Sequence, residues 1–111
     1  MHELSITQNI VSIVAEAAGG HPVKRVTLEV GKLSGVMLDA IVFCFDVVAK
    51  GTPVEGATLE IHEIEGRGQC AACGNEFPMP TLFTRCPCGS RRITRVHGEE
   101  LKVRTMELEL S

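Results

Sequence analysis

Four of the five cysteines in this 111-residue chain fall in two close pairs, Cys70-Ala71-Ala72-Cys73 and Cys86-Pro87-Cys88, separated by twelve residues. Two such pairs on separate turns suit tetrahedral Zn²⁺, which takes four soft ligands at about 2.3 Å. Gly74 and Gly89 directly follow the second cysteine of each pair. Glycine there permits the tight turn that folds backbone amides towards sulfur. A site closed by four sulfurs leaves no position for substrate, so the ion it predicts is structural. The second pair, C-x-C, has a tighter bite than C-x-x-C, and His97 is the alternative fourth ligand. Free thiols or a redox Cys-x-x-Cys are the other readings of these residues.

The start of the chain holds a second constellation. The α-amine of Met1, the amide nitrogen of residue 2 and the imidazole of His2 can close adjacent chelate rings around one ion. Nitrogen-rich, near-planar donor sets favour Ni²⁺ or Cu²⁺ over Zn²⁺. Binding requires amine and imidazole to lose protons, so such a site is weak at low pH. Glu3 can add a carboxylate or backbone donor. The plain alternative is an exposed terminal histidine with no metal role. Among the other histidines, His21 beside Pro22 and His62 on the polar side of a strand read as solvated, whereas His97 remains a candidate extra nickel or zinc donor. Cys44, the fifth cysteine, reads as a small buried hydrophobe in a helix.

Positioning these groups falls to a short series of elements. From Ser5, Ile10, Val11, Val14, Ala17 and Ala18 recur at helical spacing up to Gly19-Gly20, with Ser5 and Gln8 able to form a capping box. After Pro22, Val26, Leu28 and Val30 alternate with polar residues as a half-buried strand does. Residues 31–35 read as a connection. A second helix follows, with Leu38, Ile41, Val42, Phe45, Val48 and Ala49 on one face, and then a strand in which Ala57, Leu59 and Ile61 alternate with Thr58, Glu60 and His62. Periodicity stops at Glu65-Gly66-Arg67-Gly68 and resumes near Leu101. In that last strand Leu101 and Val103 sit on one phase and Met106, Leu108 and Leu110 on the other, a slip that predicts a bend near Thr105. The order predicts an α+β fold: two helices packed on a small, about three-stranded antiparallel sheet, with a zinc-ribbon-like insert. Residues 1–64 and 98–111 form one domain and 65–97 the inserted one. The strands flanking the insert are expected to pair, bringing its ends together.

Composition narrows the function classes. Apolar residues make up 44% of the chain, against four Phe and no Trp or Tyr, so an aliphatic core is expected rather than disorder. Eleven basic and fourteen acidic side chains give −3, which argues against binding nucleic acid by bulk charge. The longest apolar run, Ala40 to Phe45, is too short for a bilayer, and Met1-His2-Glu3 does not begin a signal peptide; a cytoplasmic location with no membrane partner is expected. No HExxH, glycine-rich phosphate loop or nucleophile with a base is present, so no enzymatic activity is expected. Glu99-Glu100 and Glu107/Glu109 read as loop or strand-edge charges. One competing function remains: a zinc-ribbon module binding nucleic acid or protein, because residues 65–97 carry five Arg against Glu65 and Glu76, whereas the rest of the chain is at −6. Four thiolates around one Zn²⁺ add −2, which brings the insert from +3 to +1 and the chain to −5. That removes most of the insert's basicity.

The start Met1-His2-Glu3-Leu4-Ser5, the segment Phe43-Cys44-Phe45-Asp46-Val47-Val48 with Gly51-Thr52, the stretch Glu55-Gly56-Ala57 and the two cysteine pairs, in this order, resemble the HypA/HybF family across essentially the whole chain. The family's second pair is usually C-P-x-C, one residue longer than Cys86-Pro87-Cys88. The resemblance implies a nickel metallochaperone for [NiFe]-hydrogenase maturation, with transported Ni²⁺ held on His2 and with the Met1 amine and Glu3 as co-donors. It places structural Zn²⁺ on Cys70, Cys73, Cys86 and Cys88. It further implies two partners, a HypB-type GTPase and the hydrogenase large-subunit precursor, and a monomer or weak homodimer is expected.

Overall fold

The computed structural model describes residues 2–110. Its elements run α1 (Glu3–Ala18), β1 (Val23–Gly31), α2 (Leu38–Ala49), β2 (Thr58–Ile64), β3 (Arg67–Cys70), β4 (Glu76–Pro78), β5 (Ile93–His97) and β6 (Leu101–Leu108). They build two three-stranded sheets, ordered β2-β1-β6 and β4-β3-β5. The two helices, the small sheet and the four-cysteine module are those expected from sequence.

In α1 the apolar positions Ile10, Val11, Val14 and Ala18 are all buried, as 3.6-residue spacing requires of one face. Thr7 joins them at full burial because its hydroxyl donates to the Glu3 carbonyl oxygen at 2.7 Å. The helix begins two residues ahead of Ser5, so the Ser5–Gln8 capping box does not form. His2 holds the N-cap position, and the Ile6 N–H donates to its carbonyl oxygen at 3.1 Å. At the other end Gly19, with φ of 59°, closes the helix in the left-handed region.

α2 buries Ile41, Phe45 and Ala49 and packs against α1. Val42, expected on that face, is 46% exposed, together with Phe43 and Val47. Ile41, Phe45 and Ala49 follow one row at a spacing of four, and a residue advanced by 100° from Ile41 leaves the stripe. No side chain of the N-cap residue Met37 caps α2. Its backbone N–H instead donates to the Glu3 carboxylate at 3.2 Å.

The expected pairing of the strands on either side of the insert does not occur, because β1 lies between β2 and β6. Bonds from Glu109 N–H to Pro22 O and from Gly31 N–H to Glu100 O bracket β1 and β6 as an antiparallel pair. Bonds from Val23 N–H to Pro53 O and from Lys32 N–H to Ile64 O join β1 to the β2 chain at matching ends. These strands therefore run alike around the α2 crossover, and the sheet is mixed where an all-antiparallel one was expected. As the central strand, β1 buries Val26, Leu28 and Val30, and also Thr27 on the opposite phase. In β6 the half-buried positions are Leu101 and Val103, then Met106 and Leu108, with Arg104 and Thr105 both exposed between them. The phase slip at Thr105 is present.

The chain divides into two compact units. The first comprises the chain up to Leu28, Val36–His62 and the chain from Lys102, and holds both helices. The second comprises Glu29–Gly35 and Glu63–Leu101. In the second, β3 pairs antiparallel with both β4 and β5, with an irregularity between Arg67 and Gly68 against β5. Its buried cluster is Leu33, Cys70, Phe77, Met79 and Cys86, with Ile93 packed against it. Leu33, read from sequence as part of a connection, is a core residue here; its N–H donates to Gly98 O at 2.7 Å. Gly66 and Gly98 leave the space it fills, since a Cβ at either would overlap its side chain.

Candidate metal centre

The two cysteine pairs sit on two tight turns of the second unit. After Cys70 ends β3, the Gly74 N–H donates to the Cys70 carbonyl oxygen at 2.9 Å; the Gly89 N–H does the same to Cys86 at 2.8 Å. Gly74 has φ of 77° and Gly89 of 93°, a region open to glycine at no steric cost. This is the turn role expected of both residues. Each turn supplies one buried sulfur, Cys70 or Cys86, and one exposed sulfur, Cys73 or Cys88.

All four Sγ atoms lie within 4.8 Å of one another. Cys70 and Cys88 approach to 3.7 Å, and Cys73 and Cys86 to 3.5 Å, so close contacts join the two pairs. Four bonds of about 2.3 Å at tetrahedral angles require sulfur–sulfur edges of about 3.8 Å. A disulfide requires about 2.0 Å. The cluster therefore has the dimensions of a tetrahedral cation site, and its donor set of four soft sulfurs fits Zn²⁺.

Its electrostatics lead the same way. Backbone amides, that of Cys73 foremost and then that of Ala72, lower the Cys70 thiol to about 6 against the opposing effect of burial. The Cys88 N–H, 3.5 Å from the Cys86 sulfur, also favours the Cys86 thiolate, but burial and the three neighbouring thiols outweigh it and push Cys86 up to about 12. Without a cation the cluster favours the thiolate at Cys70 and opposes it at Cys86. A divalent ion removes that conflict.

His97 is not part of this group, which among the described residues is the one set of three or more His, Cys, Asp or Glu placed to hold a metal. Its Nδ1 lies 3.2 Å from Glu100 Oε2, while Glu100 Oε1 accepts the Gly98 N–H at 2.7 Å. His62 is not the solvated side chain expected from its polar phase. It is half-buried, its Nδ1 accepts from Arg104 at 2.9 Å, and its Nε2 lies 2.8 Å from Glu60, which also pairs with Arg25. The Arg104 donor assigns the ring proton to Nε2. Long side chains from three strands thus cover one face of the sheet, which a two-residue alternation does not reveal. Cys44 is half-buried in α2, in keeping with a small packing residue.

At the other constellation, His2 is exposed at the start of α1. Met1 lies outside the described residues. Glu3 opens the helix, and the Met37 amide, with its own amide second, holds its carboxyl below the usual carboxylate value. One carboxylate oxygen is thus committed to capping α2, a tie that no local sequence signal announces.

Residues 1–108 match the family model described as "Hydrogenase/urease nickel incorporation, metallochaperone, hypA". The hydrogenase maturation factor HypA of Rippkaea orientalis is 57% identical over 110 residues, covering 98% of this chain and 96% of that protein. The one from Geobacter metallireducens is 51% identical, covering 98% of this chain and all of the relative. Among solved structures, that of the Ni metallochaperone HypA from Helicobacter pylori superposes with a TM-score of 0.73 at 23% identity, covering 97% of each chain, which shows a shared fold.

Proposed function

The chain belongs to the HypA family of hydrogenase and urease nickel-incorporation metallochaperones, and from that premise we propose that it binds Ni²⁺ at its N-terminus and delivers it to a [NiFe]-hydrogenase large-subunit precursor. The donors are the Met1 amine, the residue 2 amide nitrogen and the His2 imidazole, with Glu3 secondary. The observation that carries this reading is the placement of His2: it is exposed at the first turn of α1, with no side-chain capping bond to occupy its ring. Nitrogen donors at a chain end suit Ni²⁺. They also permit release by stepwise ligand exchange with an acceptor, where a closed cage would hold the ion too long. Nickel is the cargo. The protein performs no catalysis, works in the cytoplasm, and cooperates with a HypB-type GTPase as a monomer or weak homodimer.

Cys70, Cys73, Cys86 and Cys88 hold Zn²⁺ as a structural ion. It supplies no chemistry to the cargo; its closed sulfur set offers no open position. The test is metal analysis after Ni²⁺ equilibration of the intact protein, an N-terminally acetylated form and His2→Ala. Both altered forms should lose nickel and keep one zinc. Undiminished nickel affinity in both would sink the N-terminal site.

A further inference from the structure

The second unit carries a feature that the metal chemistry does not use: an open cavity of about 420 Å³ between the turn after β4 and strand β5. Its walls present Arg85, Arg91 and Arg95, with Met79, Leu82 and Phe83 as apolar lining and no acidic residue. Met79 is buried and makes a fixed apolar floor. Leu82 and Phe83 are held at the tip of a turn in which the Thr84 hydroxyl donates to the Thr81 carbonyl oxygen at 2.9 Å. Phe83 is 91% exposed there, whereas Phe77, the other phenylalanine of this unit, is buried. Arg95 is tethered to Glu99 at 2.9 Å, while Arg85 and Arg91 make no ion pair among the described residues. Arg85 and Arg91, two cations beside an apolar floor with no internal counter-charge, are an incomplete arrangement.

We propose that this cavity is a docking site for an acidic segment of a partner protein, one that sets an aliphatic side chain against Met79, Leu82 and Phe83 and its flanking carboxylates against Arg85, Arg91 and Arg95. Charge complementarity selects the occupant. Guanidinium forks pair with carboxylates in bidentate geometry, and the apolar floor rewards a side chain that a bare anion lacks. A nucleic acid fits less well. The lining offers one aromatic ring, whereas single-strand binding uses successive stacking platforms, and the chain as a whole is negative. The cavity shares no lining residue with the proposed nickel donors.

The test uses the zinc-loaded full-length protein and fluorescence anisotropy with three labelled probes: a peptide of mixed Glu and Leu, its Gln-for-Glu counterpart, and a single-stranded oligonucleotide of about twelve nucleotides. The acidic peptide should bind, the Gln peptide at least tenfold more weakly, and added salt should weaken the acidic one. Arg85→Glu with Arg91→Glu should lower its affinity at least tenfold, and Phe83→Ala should lower affinity for the acidic peptide with its salt dependence unchanged. Both variants are checked for one bound zinc, and the milder Arg85→Gln/Arg91→Gln pair replaces the charge-reversal pair, and Phe83→Leu the alanine variant, where either loses it. Equal binding of the Gln peptide, wild-type affinity in the arginine variants, or tighter binding of the oligonucleotide would each overturn the proposal.

Discussion

Among single residues, the four cysteines do unequal work although the spacing treats them alike. Cys70 ionises near 6 under the influence of the Cys73 and Ala72 amides, while Cys86 is held near 12 by burial and the surrounding thiols. These shifts belong to the folded turns. Zinc binding displaces thiol protons, so affinity should fall as pH is lowered from 7 to 5. Competition with a zinc chelator of known pH dependence measures it; equal affinity at both pH values would show that binding displaces no proton. A second expectation follows from geometry. Cys88→Ser should lose zinc and His97→Ala should retain it, measured as metal per chain, because the imidazole sits on Glu100 and outside the sulfur group. The four sulfurs were legible from sequence because a metal site built on two tight turns is a local pattern. The Glu3 tie to Met37 was not, since it joins residues thirty-four apart with no periodicity between them.

Elements were legible in proportion to their length. The 16- and 12-residue helices each repeat their apolar stripe several times, and both were found within two residues of their ends. The strands β3, β4 and β5 have four, three and five residues, too few to show an alternation, and they appeared only as a break in pattern. Sheet order was hidden for another reason: β1 pairs with chain segments far away in sequence on both sides, and adjacency in sequence suggests the wrong neighbour for β2. The Val42 assignment failed at the edge of a stripe, where one residue separates core from surface. Stability measurements separate these positions. Leu28→Ala and Ile41→Ala, at fully buried sites, should each cost about 2–5 kcal/mol in denaturant unfolding. Val42→Ala should stay within about 0.5 kcal/mol. A Val42→Ala cost comparable to the other two would return that residue to the core.

For the molecule as a whole, the division into two units separates two sources of stability. Both helices and the fully buried aliphatic residues Val14, Val26, Leu28, Ile41 and Val54 belong to the first unit. Of the fully buried aliphatic residues only Val30, in the shared strand β1, falls in the second. The second has a buried cluster of five, of which Cys70 and Cys86 belong to the four-sulfur group, leaving Leu33, Phe77 and Met79 to hold three short strands. A core that small does not offset the conformational entropy of nearly fifty residues, so metal binding must supply the folding free energy there. Removing zinc with a chelator should therefore act on one unit. Amide exchange should accelerate across β3, β4 and β5, while the far-ultraviolet helical signal stays within about a tenth of its starting value, because no helix depends on the sulfur cluster. Zinc added back should restore protection. Loss of helical signal on chelation, in step with the exchange, would instead show that the two cores fold as one cooperative body. Unchanged exchange in the zinc-free protein would show that Leu33, Phe77 and Met79 suffice without the ion.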